Sequence, residues 1–321
     1  MLGSPGYLQY NTGMTTTYYS KAHERALQIL GEPRTGAWLV VDAPDAAELD
    51  RLAETYNLDR DNLEDAVDIY EAPRVEAESG TVYIYTRYCY PEGKEIATEP
   101  LLIVYTPDLL FTIMRSKTHV LERLTNEAVD VVTTQKTKLL LQIFSEINRS
   151  YERHVRKVSR QILQLRAHMR QSAITTREFV GIIEVEEDLN EFLSALQPQA
   201  SLLTSLLSGK YMRLYEEDRD IIEDIERSTG ELILQVQGRL RTLVNMRQAY
   251  DAIATTNLNN TFKRLTSIAI FLTVPTIIGG IYGMNVDLPL QHTHYAFLFV
   301  TFLIIGAMGG MVWFFHRKEW L

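Results

Sequence analysis

The sequence predicts a membrane protein of the α+β class: an N-terminal cytoplasmic α/β domain, a long helical stalk, and two C-terminal transmembrane helices, the first continuous with the stalk. Three observations predict it. Residues 265–282 and 295–315 are two uncharged apolar runs near the end of the chain, each close to the roughly 20 residues that span a hydrocarbon core. Residues 36–128 carry strand and helix patterns in mixture. Beyond residue 128 the apolar positions keep helical spacing and no strand pattern returns.

Composition sets the outer bounds. A chain of 321 residues implies roughly two domains. The formal charge of −9 speaks against a nucleic-acid partner, which calls for clustered Lys and Arg. Cys89 is the single cysteine, so the chain has no disulfide framework and no Cys-based zinc site. The seven histidines show no metalloprotease spacing. Residues 1–19 lack the apolar core of a secretory signal. Residues 1–35 read as an unstructured lead-in to the first domain.

The α/β domain, residues 36–128, opens with a short strand over 38–41. Residues 46–56 follow as a helix whose apolar positions are Ala47, Leu49, Leu52 and Ala53. A second helix begins near Asp61, with Asp61 and Glu64 at capping-box spacing. Residues 82–88 alternate as a strand, 91–94 form a turn, and 101–105 and 109–114 are further strands.

The stalk domain is 129–264. A helix over 134–169 lines up Leu139, Ile143, Ile147, Tyr151, Val155, Val158 and Ile162 on one side. A second helix covers 178–207, and 210–213 turn the chain. From Tyr215 no proline occurs until Pro275, and Ile225, Leu232, Val236, Leu240 and Leu243 keep helical spacing. One helix over about 215–282 results, roughly 100 Å long at 1.5 Å per residue. Gly230 and Gly238 weaken it locally, and it needs neighbours to bury its apolar stripe.

Basic residues orient the membrane helices. Lys263 and Arg264 precede the first, and His316, Arg317 and Lys318 follow the second, in the terminal segment 316–321. The connection 283–294 has neither Lys nor Arg, so it faces outward and both termini are cytoplasmic. Tyr282, Tyr295, Trp313 and Trp320 mark the interfaces with the lipid bilayer. Within the first helix, Asn259, Phe262, Thr266, Ala269, Thr273, Thr276 and Gly280 share one face. That face is polar or small for most of its length. Two readings of it stay open: the lining of a water-filled path, or a helix-packing surface. Pro275 bends the helix. Two helices cannot enclose a pore, so the first reading requires a homo-oligomer.

At Tyr282-Gly283-Met284-Asn285, at the outer end of the first of two terminal membrane helices, the sequence resembles the CorA family of magnesium and divalent-cation channels. Leu63-Glu64-Asp65 followed by Ala72-Pro73-Arg74-Val75-Glu76 is similar to the family's Leu-Glu-Asp and Arg-Pro-Lys-Val-Glu segment, with Ala72 in place of Arg. The basic-aromatic terminus and the order of domains agree as well.

The resemblance implies a homopentameric funnel in the cell inner membrane that passes Mg²⁺, with Co²⁺ and Ni²⁺ as further cargo. Gly283, Met284 and Asn285 would form the selectivity filter, with an Asn285 ring meeting the hydrated ion. Asn259, Phe262, Leu265, Ala269, Thr273, Thr276 and Gly280 fall at the family's pore-lining positions, with Phe262 and Leu265 as an apolar gate. The family more often has Met where Thr273 stands. Asp65 and Asp224, helped by Glu64, match the regulatory metal site that bridges neighbouring subunits. A companion acid aligns with Ser145, beside Glu146, which puts a second regulatory ion in doubt.

The outer mouth keeps one acid, Asp287, and adds His292 and His294. Mg²⁺ is then both cargo and regulator, and no organic cofactor is implied. A zinc transporter of the same fold is the nearest alternative, against which Met284 speaks. A non-conducting membrane-anchored sensor or scaffold is another. No nucleophile–base pair, dinucleotide loop or catalytic metal motif points to an enzyme.

Overall fold

The computed structural model describes residues 14–22, 26–92, 95–117, 119–126, 128–171, 176–286 and 294–318. The chain divides into two compact units, Met1–Val244 and Asn245–Leu321.

The first unit is built on a seven-stranded sheet: β1 (Met14–Tyr19), β2 (Gln28–Leu30), β3 (Trp38–Asp42), β4 (Arg74–Glu78), β5 (Thr81–Glu92), β6 (Glu95–Tyr105) and β7 (Leu110–Met114). Their order is β2-β1-β3-β7-β6-β5-β4, and only β3 and β7 run parallel. Two short helices, α1 (Ala46–Tyr56) and α2 (Arg60–Asp65), cover one face. Leu49, Leu52 and Leu63 pack there against Leu39, Tyr85, Leu102 and Phe111. Asp45 caps α1 by accepting from the Glu48 amide at 2.7 Å. Asp59 caps α2 through the Asn62 amide at 2.9 Å, so the first turn of α2 is closed from Asp59 and not by an Asp61–Glu64 box.

A short helix α3 (Glu122–Thr125) precedes two long ones, α4 (Lys136–Gln171) and α5 (Thr176–Leu207). These cover the other face of the sheet. Successive residues of β5 point opposite ways. Tyr85 donates to Asn62 Oδ1 of α2 at 2.6 Å, and Thr86 donates to Gln199 Oε1 of α5 at 3.1 Å. The stripe on α4 from Leu139 to Ile162 is buried at every predicted position. Helix α6 (Glu216–Tyr282) begins in this unit and buries Ile225, Leu232, Val236 and Leu243 there, with Leu240 half-buried.

One buried polar chain ties sheet and helices together. Gln199 Nε2 donates to Asn148 Oδ1 at 2.9 Å, and Asn148 Nδ2 donates to Thr229 Oγ1 at 2.9 Å and to the Ile225 carbonyl at 3.2 Å. With Thr86 this links β5, α5, α4 and α6 through side chains that are all buried. Buried polar groups carry a penalty unless bonded, so this chain fixes one register of α6 against α4.

Two departures from the sequence reading concern the sheet. Residues 14–19 and 28–30 are not an unstructured lead-in: they form β1 and β2, and β1 pairs antiparallel with β3 from Met14↔Asp42 to Tyr18↔Trp38. A Thr-rich run hides its strand because Thr serves both faces. Here Thr17 and Tyr19 are buried, and the Tyr18 and Trp38 rings meet at 5.5 Å. Strand β4 was also not foreseen, because an edge strand with one buried neighbour shows no apolar alternation. Its turn into β5 places Ser79 at φ 50° and Gly80 at φ 83°, the two positive angles that a two-residue hairpin loop needs.

The second unit contains α6 beyond Val244 and helix α7 (Ala296–Arg317). Both are long and apolar enough to cross a membrane, and their most apolar stretches are 6% and 0% buried within the chain. Leu272, Phe297 and Phe302 are 64%, 81% and 71% exposed. Apolar surface on that scale is unstable in water and is at home in lipid. Arg317 closes α7 with its guanidinium over the Trp313 ring at 5.5 Å.

Candidate functional site

The polar face of α6 is built from the helix period. Asn259, Phe262, Leu265, Ala269, Thr273, Thr276 and Gly280 are all exposed on it. Thr266 is exposed too, so exposure does not choose between it and Leu265. The buried exception is Ser267, whose hydroxyl donates to the Lys263 carbonyl at 2.9 Å. Thr273 donates to the Ala269 carbonyl at 2.7 Å and Thr276 to the Leu272 carbonyl at 3.0 Å. Each hydroxyl hydrogen is thereby committed to the helix one turn back, and the lone pairs remain outward. This face therefore offers acceptors, which suit the hydrogens of a cation's hydration water. Pro275 lies inside the helix and leaves the Phe271 carbonyl without its helical amide.

At the end of α6, Gly283 donates its amide to the Gly279 carbonyl at 2.9 Å. A Cβ at Gly283 would lie 3.2 Å from that carbonyl oxygen, tighter than ordinary contact, so glycine is used here for close approach. Met284 continues the turn through the Ile281 carbonyl and is 55% exposed within the chain. Asn285 follows, exposed. Asp287 and His292 lie outside the described residues; His294 is described and exposed.

The three acids of the expected regulatory site each face an arginine of the same chain. Glu64 meets Arg60 at 3.1 Å, Asp65 meets Arg74 at 2.8 Å, and Asp224 meets Arg227 at 3.1 Å. Arg74 also holds Glu76 at 2.9 Å and Glu71, and its guanidinium lies 3.8 Å from the Tyr85 ring centre. Burial lowers the proton affinity of Arg74, and the hydrogen bonds to Glu76 and Asp65 outweigh it, so the guanidinium stays charged. Among the described residues no three carboxylate, imidazole or thiol groups converge as a metal site. Glu146, beside Ser145, is buried and pairs through Oε1 with Arg123 at 2.8 Å. The Cys89 thiol is buried, and burial pushes its pKa well up, so it supplies no thiolate.

Arg60 and Arg227 stand at helical spacing from their acids and were visible in the sequence. Arg74 was not: it reaches Asp65 only because β4 returns beside the end of α2.

The family model described as CorA-like Mg²⁺ transporter protein matches residues 34–317. The chain belongs to the CorA family. It is 28% identical over 297 residues to the cobalt/magnesium transport protein CorA of Methanocaldococcus jannaschii, covering 88% of this chain and 91% of that protein. The complete structure of the CorA magnesium transporter from the same organism superposes with a TM-score of 0.86 over 96% of this chain and 99% of that one, at 24% identity. At that identity the likeness speaks for the fold. The zinc transport protein ZntB of Klebsiella pneumoniae is 18% identical over 183 residues, 57% of this chain and 55% of that protein. Membership sets the chain among membrane transporters and not among enzymes.

Proposed function

We propose that this chain is a divalent-cation channel subunit that admits Mg²⁺, with Co²⁺ and Ni²⁺ as further cargo, down the electrochemical gradient. Five copies surround one pore in the cell inner membrane, with both termini cytoplasmic. The observation that carries this reading is the exposed face of α6. Hydroxyl oxygens of Thr273 and Thr276, already spent as donors, lead to the amide of Asn285 at its end.

Mg²⁺ gives up water reluctantly, so a path lined by acceptors passes it hydrated. The Asn285 side-chain oxygen accepts from the ion's water without the tight hold of a carboxylate. Phe262 and Leu265, about five to seven helical turns below on the same face, form the apolar constriction that dewets when the pore narrows. A membrane potential supplies about 2.3 kcal/mol per charge per 100 mV, and so roughly twice that for a divalent ion. Names among the relatives, cobalt/magnesium and magnesium transport, support the cargo. Asp287 at the outer mouth adds one negative charge per subunit to gather cations.

Closure follows from cytoplasmic Mg²⁺ between Asp65 of one subunit and Asp224 of the next, with Glu64 beside them. When Mg²⁺ falls, the acids repel and the subunits loosen. The second reading, zinc transport, draws on the ZntB likeness and on the two loop histidines.

The test is flux into proteoliposomes. Asn285→Ala abolishes selective Mg²⁺ uptake on this reading while the protein still assembles by size-exclusion chromatography. Unchanged selective uptake removes Asn285 from the filter. Zinc uptake that is lost with His292→Ala and His294→Ala, in a protein that carries Mg²⁺ poorly, favours the zinc reading.

A further inference from the structure

We infer that Arg74 is a tethered counter-ion that competes with the divalent cation for Asp65. The inference rests on the reading of Asp65 as a regulatory ligand. Arg74 occupies Asp65 at 2.8 Å with one terminal nitrogen, reaches Glu71 with the other, and gives its Nε hydrogen to Glu76 at 2.9 Å. Each of its three nitrogens thus faces a different acid, and the plane rests on Tyr85 at 3.8 Å. Tyr85 is itself fixed by its hydroxyl on Asn62, three residues before Asp65 on α2. The arginine is therefore held at the acid by packing and not by chance rotamer choice.

Arg74 holds Asp65 through Oδ2 alone. An ion that takes Oδ2 displaces one prong of Arg74, which keeps Glu71 and Glu76 as alternative partners, and an ion that takes Oδ1 meets the guanidinium charge bound to the same carboxylate; both weaken its hold. The swap leaves no charge stranded in either state. With Arg74 on Asp65, the acid keeps a partner within its own chain when Mg²⁺ is scarce, and its repulsion of Asp224 is weakened but not cancelled. With Mg²⁺ on Asp65, Arg74 is retained by the other two. The exchange raises the Mg²⁺ concentration at which the sensor fills. The sensor's affinity is thus lower than that of a bare carboxylate pair.

The experiment is Mg²⁺-dependent protection of the full-length protein against limited proteolysis, titrated for wild type, Arg74→Gln, Arg74→Lys and Asp65→Asn. Removing a partly exposed competitor lowers the half-protecting Mg²⁺ concentration about fivefold in Arg74→Gln. Arg74→Lys keeps the charge and loses the planar grip, so it falls between. A midpoint in Arg74→Gln that is unmoved or higher, with protection still lost in Asp65→Asn, overturns the competition alone. Protection in Asp65→Asn equal to wild type overturns the sensor reading beneath it. If Arg74→Gln melts without Mg²⁺ at a lower temperature than wild type, Arg74→Lys carries the titration, and a midpoint equal to or above wild type overturns the proposal.

Discussion

Asn148→Leu breaks the polar hub that joins sheet, α5 and α6, and its cost can be worked from the contacts. Leucine removes the two donations from Nδ2, to Thr229 and the Ile225 carbonyl, and the acceptor for Gln199 Nε2. The Ile225 carbonyl keeps the Thr229 hydroxyl at 2.8 Å, so it is not orphaned. Gln199 is: it is fully buried, and its amide hydrogen loses its partner. A stranded buried donor costs about 1–3 kcal/mol, and each of the two other lost bonds adds about 1 kcal/mol, so the sum is roughly 3–5 kcal/mol. Urea unfolding of the full-length protein in detergent, followed by far-UV circular dichroism, reads this as a lower midpoint at unchanged slope. Gln199→Leu in the same chain removes the stranded amide, so the double variant recovers part of the loss. If the two single effects add, the residues do not act as one chain and the reasoning fails.

Arg87 gives a second stability test. It donates to the Ile69, Glu71 and Thr98 carbonyls and to the Thr98 hydroxyl, and it is 9% exposed. Arg87→Lys keeps the charge but cannot span four acceptors, so unfolding moves by about 2–3 kcal/mol; a change under half of that refutes the role. Thr273→Val keeps the shape of the α6 face and deletes one acceptor oxygen. Mg²⁺ flux falls several-fold at unchanged melting temperature, and flux equal to wild type removes Thr273 from the path.

The sequence disclosed the helical half of the fold because its signals are long and periodic. The stripe from Leu139 to Ile162 and the proline-free run from Tyr215 needed no tertiary context. The sheet was legible only where it is central. The runs 101–104 and 110–114 lie wholly inside and read as apolar blocks, whereas β1 shows Thr on both faces and β4 is an exposed edge. The Ser79-Gly80 pair was the one local sign of the β4–β5 hairpin. At the candidate site, the spacing of the α6 face drew a line of residues that are exposed within the chain, as are nearly all their neighbours on that part of α6. It carried no sign of the commitment of Thr273 and Thr276 as donors, which needs coordinates. The ion pair of Asp65 with Arg74 joins residues brought close by a strand the sequence did not reveal, so no spacing rule finds it.

The central claim is passive passage of a hydrated divalent ion along α6. Its most direct test is uptake of Mg²⁺, Co²⁺, Ni²⁺ and Zn²⁺, measured side by side in proteoliposomes with and without an imposed inside-negative potential. The account predicts Mg²⁺ uptake that rises steeply with the potential, with no need of a proton gradient. Uptake that ignores the potential, or that requires a proton gradient and favours Zn²⁺, contradicts it.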